Sequence, residues 1–452
     1  MKINPLPLLL CFTTLINALE IDIQDKKSIC SASSQVYRGM MDYYDGDNYG
    51  GVVGMFQPPY YWWQAGHAWG GVIDYWYYCG KNESVEQVLY DSLMAQTGKN
   101  FDYIPQNQST TEGNDDQGFW GIFVMSAAER NFTPPHEDSD VPDWLSMSQA
   151  VYNTMWERWD TEHCGGGLRW QIFEWNSGYD YKNTVSTACL FQMAARLARF
   201  TRNDSYVETA ETVYQWLIDS EFIVEEETTR VYDGSEIGDG NCSNIVRLEW
   251  TYNFGLMVSG AAYIYNYTES DEWFARVSHL VNGASVFFDD GILYERACQG
   301  PDNCNNDQRS FKAVFSRSLA MASVLVPALY DDIRPLLESS AEAAAKSCSG
   351  GSDGVTCGLD WTTGEWDGKY GLGEQMSALE IFNSLVAPLS PAPFSQEDEG
   401  VAVGNPNAGI DSDSTDLAHQ KLNITGRDKA GAAIITALIM LSIIIGAIWM
   451  VL

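Results

Sequence analysis

Positive charge is scarce in this chain: Lys and Arg number 26 among 452 residues, against 61 Asp and Glu, for a formal charge of −35. Such a surface repels polyanions, which excludes nucleic acid as a partner. Histidine is scarcer still, with five residues. None pairs with another at the helical spacing of a zinc site, and no paired cysteine ligands make up the deficit. Neither a metal nor a cofactor is expected. Asp45-Gly46-Asp47-Asn48 supplies hard oxygen atoms, but the wider calcium-loop pattern is missing and a surface turn is the simpler reading. Strand signals are few, which argues against a fold built on sheets.

Long apolar runs are confined to the two ends. Residues 1–18 carry Lys2, the run Leu6-Pro7-Leu8-Leu9-Leu10-Cys11-Phe12 and the small residue Ala18, the pattern of a secretory signal peptide. Ala430 through Leu452 is an uncharged apolar stretch of 23 residues after Arg427-Asp428-Lys429. It reads as a glycosylphosphatidylinositol signal rather than a permanent span, because small residues and a polar spacer precede a terminal tail. Asn407-Ala408-Gly409 and Ser412-Asp413-Ser414 offer attachment sites. The expected location is therefore outside the cell, lipid-anchored to the outer face of the plasma membrane or held in a wall. Seven Asn-x-Ser/Thr sequons, at Asn82, Asn107, Asn131, Asn203, Asn241, Asn266 and Asn423, fit an exported glycoprotein. Removing Cys11 with the signal leaves nine cysteines, an odd number. Cys189, in an apolar run, is the expected free thiol, while Cys298 with Cys304 and Cys348 with Cys357 are spaced for short loop-closing bridges.

Between the ends, apolar residues recur mainly at helical spacing without a break in composition. About twelve helices are expected, near 32–44, 61–78, 85–93, 114–130, 144–159, 183–200, 204–219, 249–266, 271–288, 308–328, 333–347 and 371–386. Six helical hairpins close into a double ring or extend as an open solenoid. The ordered domain is read as 19–390, and the Pro-, Ser- and acid-rich 391–429 as a flexible stalk. Alternate helices begin with Tyr61-Trp62-Trp63, Asn114-Asp115-Asp116, Asn183, Trp250-Thr251-Tyr252-Asn253, Asp307-Gln308 and Gly373-Glu374-Gln375. Sharing one rim, these starts bring polar and aromatic groups to a groove. Any single Trp among them is more often core than groove.

Thr111-Glu112-Gly113-Asn114-Asp115-Asp116-Gln117-Gly118-Phe119-Trp120 carries the chemistry. Two short adjacent carboxylates suit the division of labour in glycoside cleavage, and flat aromatic faces suit pyranose rings. An Asp-Asp pair alone is ordinary helix-start chemistry, as at Asp289-Asp290 and Asp331-Asp332. Gly350-Gly351-Ser352-Asp353-Gly354 spells a serine-hydrolase elbow, yet it follows an Ala-rich helix and lies between two cysteines, so a disulfide-closed loop is expected instead.

Five segments in order resemble glycoside hydrolase family 76, closest to its fungal cell-wall endo-1,6-α-mannosidases. They are Gly54–Trp63 (GMFQPPYYWW), Ile73–Tyr78 (IDYWYY), Glu112–Gln117 (EGNDDQ), Cys164–Gln171 (CGGGLRWQ) and Tyr181–Thr184 (YKNT). The resemblance implies an all-α, (α/α)6 barrel that cleaves α-1,6-mannosidic bonds with retention, Asp115 as nucleophile and Asp116 as general acid/base. It also implies a mannan or lipid-anchor glycan as donor, cell-wall glucan as a transglycosylation acceptor, and a role in attaching anchored proteins to the wall. Asp74, Trp120, Trp170, Asn183 and Asp233 are further groove candidates by residue type and expected position. The competing reading is a catalytically silent glycan-binding wall protein on the same scaffold.

Overall fold

The computed structural model describes residues 18–108, 110–135, 140–226, 228–238, 240–352, 354–410 and 424–451. The signal peptide up to residue 17, Ser412-Asp413-Ser414, the Asn423 sequon, His136, His419 and Asp353 lie outside the described residues.

Helices α1 (Lys26–Met41), α3 (Glu83–Ala95), α5 (Trp144–Glu157), α7 (Asp204–Asp219), α9 (Asp271–Gly283) and α12 (Tyr330–Ser347) form an outer ring. Inside it stand α2 (Trp62–Tyr78), α4 (Asn114–Glu129), α6 (Thr184–Thr201), α8 (Thr251–Thr268), α11 (Phe311–Leu325) and α13 (Leu372–Val386), with a short α10 (Arg296–Gln299) in the connection before α11. Each inner helix packs on the next, and α13 returns to α2, closing an (α/α)6 barrel. Periodicity separates the two rings. Outer α3 buries only the stripe Val85, Leu89, Ser92 and Leu93, whereas inner α4 is buried throughout except at Asp115 and Asp116. A helix apolar on every side belongs inside.

Close approach of the inner helices depends on missing side chains. A Cβ on Gly70 of α2 would stand 1.9 Å from the Phe123 ring of α4. The inner ring encloses charge as well as apolar packing: Arg196 binds Glu129 at 2.6 Å, and Arg130 and Arg317 bind Asp74 at 3.3 and 2.8 Å. Buried pairs of this kind persist because each ion has a partner.

The two rings also start differently. Asp25, Asn82, Asp143 and Asn203 cap outer helices with their own side chains. Among the inner helices only α6 is capped this way, by Asn183; the residues preceding α2, α4, α8, α11 and α13 provide no side-chain cap to the following turn. Their positive dipole ends face one rim. Over that rim lies a small antiparallel sheet of β1 (Tyr181–Asn183), β4 (Gly234–Glu236) and β5 (Ile245–Val246), next to a hairpin of β2 (Ile223–Val224) and β3 (Arg230–Val231).

Disulfides join Cys30 to Cys79, Cys164 to Cys242, Cys298 to Cys304 and Cys348 to Cys357, and Cys189 is a buried free thiol. The two short bridges and the free thiol are those expected from spacing and context. The loop that spells an elbow is closed by the last of these bridges and by a Gly350–Thr356 backbone bridge.

The stalk expected over 391–429 is corrected as far as Ile410. Phe394 N–H bonds Glu129 O, Gln396 N–H bonds Phe200 O, and Arg199 donates to Pro393 O. The chain then climbs the outside of α5, where Val403 N–H meets Asp143, Asn405 N–H meets Gln149, and Asn153 donates to Pro406 O and Ala408 O. Composition marked this segment as polar, but its backbone groups find partners on the barrel surface. Beyond it, α14 (Gly426–Val451) is long and apolar enough to cross a membrane and exposes its described side chains.

Candidate active site

At the rim where the inner helices begin, a cavity of about 600 Å³ opens. Five inner-helix starts line it: Tyr61, Trp62 and Trp63 before and in α2, Asp115 and Asp116 in α4, Asn183 before α6, Trp250 and Tyr252 at α8, and Asp307, Gln308 and Phe311 at α11. The sixth does not, because Glu374 of α13 is turned inward and paired with Arg309 at 3.1 Å. Its floor is aromatic: Tyr252 and Phe311 stack with centroids 3.8 Å apart, and Phe119 lies beside Tyr252.

Asp115 and Asp116 occupy the first turn of α4. The Trp170 indole N–H donates to Asp115 Oδ2 at 3.0 Å, and the Gly113 N–H donates to Asp116 Oδ2 at 2.7 Å. The segment bearing Trp170 is fixed by the Gly113–Gln171 bridge and by Asn114 N–H bonding Trp170 O at 2.8 Å. Behind it, the loop over 160–167 is pinned by Lys182, whose ammonium donates to Asp160 O, His163 O and Gly166 O. Gly167 is required there, with φ of 89° and the Trp216 ring 2.3 Å from where a Cβ would stand.

Burial pushes both acids up. Asp115 stands well above the usual carboxylate range through desolvation and the charge of Asp116, against which the Trp170 N–H acts. Asp116 is pushed up to about 7 by desolvation and by Asp307, with the Gly113 N–H pulling the other way. Both carboxylates border the open cavity, so water there offsets part of this desolvation. As close neighbours, the two acids titrate in a coupled way.

Two more carboxylates repeat the indole arrangement. Trp63 Nε1 donates to Asp307 at 2.9 Å. Asp233 accepts from Tyr181 Oη at 2.6 Å and from the Trp250 side chain. An indole holds each acid in place without neutralising it.

Of the expected groove residues, Trp170, Asn183 and Asp233 line this cavity with Asp115 and Asp116. Asp74 does not. Twelve residues into α2 from Trp62 is about 18 Å along the axis, which places Asp74 deep in the barrel with Arg130 and Arg317. Trp120 is also core: one turn below Asp116, it stacks between Trp62 and Tyr103 at 5.2 and 5.3 Å and donates to Trp62 O. Conversely, Trp63 and Trp250 are largely buried yet show an edge to the cavity. Asp307 was legible as a helix start and Tyr181 within the YKNT segment, but neither as a groove residue.

The sequence model of glycosyl hydrolase family 76 matches residues 28–397. Mannan endo-1,6-alpha-mannosidase DFG5 of Saccharomyces cerevisiae is 54% identical over 98% of this chain and 97% of its own. The DFG5 protein of Candida albicans, with the same description, is 51% identical over 98% of each chain. Among solved structures, Dfg5 from Chaetomium thermophilum in complex with glucosamine superposes with a TM-score of 0.82 at 40% identity, covering 86% of this chain and 97% of that one. An inactive variant of the alpha-1,6-mannanase GH76A of Salegentibacter sp., bound to alpha-1,6-mannotriose, shares the fold at 18% identity with a TM-score of 0.63, over 79% of this chain and 99% of that one. With a closed ring of helical hairpins, paired acids at its rim and a family match over most of its length, this chain belongs to glycosyl hydrolase family 76 and is a glycoside hydrolase.

Proposed function

We propose that the protein is a retaining glycosidase for α-1,6-linked mannose. Asp115 attacks the anomeric carbon, and Asp116 first protonates the leaving oxygen and then deprotonates the incoming hydroxyl. The observation carrying this reading is the placement of the two acids together at an aromatic-walled cavity, with an indole fixing Asp115. The relatives named for endo-1,6-alpha-mannosidase activity support the linkage.

Without ligand, desolvation favours the neutral form of both acids. The assigned roles need the proton on Asp116 and the charge on Asp115. Positive charge developing at a bound anomeric carbon favours ionisation of the carboxylate facing it, and the positive dipole end of α4 favours the same charge. Asp115 therefore gains its charge in the complex. Proton NMR of the first-formed anomer tests the stereochemistry; an inverted product rejects it.

The donor class follows from charge. The cavity lining holds Glu112, Asp115, Asp116, Asp233 and Asp307, and no Lys, Arg or His among the described residues. Such a wall suits a glycan carrying a protonated amine as well as neutral mannose, which supports a lipid-anchor core glycan as donor beside mannan. The glucosamine bound to the Chaetomium relative fits this class. A glycosyl-enzyme opened by a sugar hydroxyl instead of water transfers the chain to wall glucan. Incubating the enzyme with labelled mannosyl donor and glucan acceptor tests transfer: labelled glucan is expected, and free sugar alone at every acceptor concentration rejects it. Anchorage through a lipid replacing α14 is tested by phospholipase release from cells. A silent binder would retain both ligand affinity and cellular role after Asp115→Asn or Asp116→Asn, whereas an enzyme loses turnover.

A further inference from the structure

We propose that the sequons divide by what their amide nitrogens do: Asn82, Asn203 and Asn241 carry N-linked glycans, whereas Asn131 stays bare and clasps the C-terminal strap over 393–410.

An asparagine amide has one acceptor oxygen and two N–H hydrogens, and its planarity fixes where each points. One hydrogen lies beside the oxygen, the other on the opposite edge. N-glycosylation forms a bond from Nδ2 to the anomeric carbon of an oligosaccharide. It breaks that carbon's bond to its lipid-pyrophosphate carrier and releases one amide proton. The product is a secondary amide, whose favoured form puts the sugar beside Oδ1, in place of the near hydrogen. The other form is populated roughly a hundredfold less. A glycosylated asparagine therefore keeps the bonds that Oδ1 accepts and loses any bond that Nδ2 donates on the same edge.

Three sequons use the oxygen alone. Asn82 Oδ1 caps α3 through Ser84 N–H at 2.9 Å, Asn203 Oδ1 caps α7 through Ser205 N–H at 3.0 Å, and Asn241 Oδ1 accepts from Cys164 N–H at 2.8 Å. All three residues are exposed, and their Nδ2 atoms donate to no described residue.

Asn131 uses both ends of its amide. Its Nδ2 donates to Glu399 O at 3.0 Å, and its Oδ1 accepts from Val401 N–H at 3.1 Å. Only Gly400 separates the two backbone groups, too short a reach for them to lie on opposite edges of the amide. The bond to Glu399 thus uses the near hydrogen, the one a glycan replaces. Asn131 stands just past the end of α4 with φ of 46°, a left-handed conformation that asparagine tolerates, and Phe132 in the middle of its sequon is buried.

The full-length chain, produced in a glycosylating eukaryotic host and purified as active enzyme, is treated with peptide-N-glycosidase in heavy-oxygen water. Each glycosylated asparagine then becomes a labelled aspartate that peptide mass spectrometry reads. Label is expected at Asn82, Asn203 and Asn241 and not at Asn131. Label at Asn131, or none at the three exposed sequons, overturns the proposal. Local sequence can also keep a sequon bare, so a second measurement reads the clasp. Asn131→Gly keeps the left-handed backbone and removes the amide. Hydrogen exchange at Val401 N–H should then quicken by about tenfold, as the loss of its acceptor requires. Turnover should stay at the wild-type level, since Asp115 and Asp116 lie at the opposite end of α4. Exchange at Val401 that matches the wild type overturns the clasp.

Discussion

A single hydrogen separates Trp170 from a merely aromatic wall. Its indole N–H holds Asp115 at 3.0 Å, and a hydrogen bond to a charged group contributes about 1.5–3 kcal/mol. Trp170→Phe keeps the ring face and removes the donor. It should lower kcat by roughly tenfold to a hundredfold on that scale, with a smaller change in KM, measured on an α-1,6-mannooligosaccharide. The acids themselves behave differently. Asp115→Asn and Asp116→Asn should each abolish measurable turnover while leaving the melting temperature unchanged or higher, because each relieves repulsion within a desolvated pair. Calorimetry beside the assay checks this, and a marked fall in melting temperature would point to a structural role instead.

Gly70 sets the spacing between α2 and α4, since any Cβ there meets Phe123 at 1.9 Å. Gly70→Ala should destabilise the barrel by about 1–3 kcal/mol, as overpacking does, and displace the Trp62–Trp63 turn; urea denaturation measures the first effect. At this scale the sequence was informative where periodicity was long: twelve helices, their alternation, and five of the six starts that meet at the cleft are readable from apolar spacing and from what precedes each run. Depth along a helix was not readable. Asp74 carries the residue type of a groove acid, but only the distance from the start of α2 shows that it serves Arg130 and Arg317. Trp120 fails the same way, because one turn of α4 separates cavity from core. Segment 393–410 was misread for another reason: its main chain bonds Glu129, Arg199 and Phe200 at the ends of α4 and α6 and then side chains of Asp143, Gln149 and Asn153 along α5, and composition carries no trace of hydrogen bonds made by the main chain.

Across the whole molecule, a minority of acids is buried, and these give stability a direction with pH. Glu295 and Glu380 are each pushed up to about 8, and Asp116 to about 7, by desolvation. Acids raised in the native state bind more protons folded than unfolded, so stability falls as pH climbs from about 4.5 towards 8. His67, pushed down to about 3 by burial and by Arg317, acts oppositely, and stability is lost as pH drops from about 6.5 towards 3. The melting temperature should therefore peak in mildly acidic solution and decline by pH 8; a maximum at or above pH 8 in a calorimetric series would contradict the assigned burial. Opening Cys30–Cys79, which closes a 49-residue separation between α1 and the end of α2, should lower stability by about 4 kcal/mol in the chain-entropy picture. Cys30→Ala with Cys79→Ala measures it.

The segment that climbs α5 bears on how the protein is moored. A processing enzyme has to grip its peptide as free, extended backbone, and at 407–409 that backbone is already engaged, with Asn153 on Ala408 O and Gly409 seated against Ala150. Scission there would first have to peel the strap from the barrel wall. A lipid attached in the way proposed is thus directed past Ile410, leaving the strap buckled to the barrel wall.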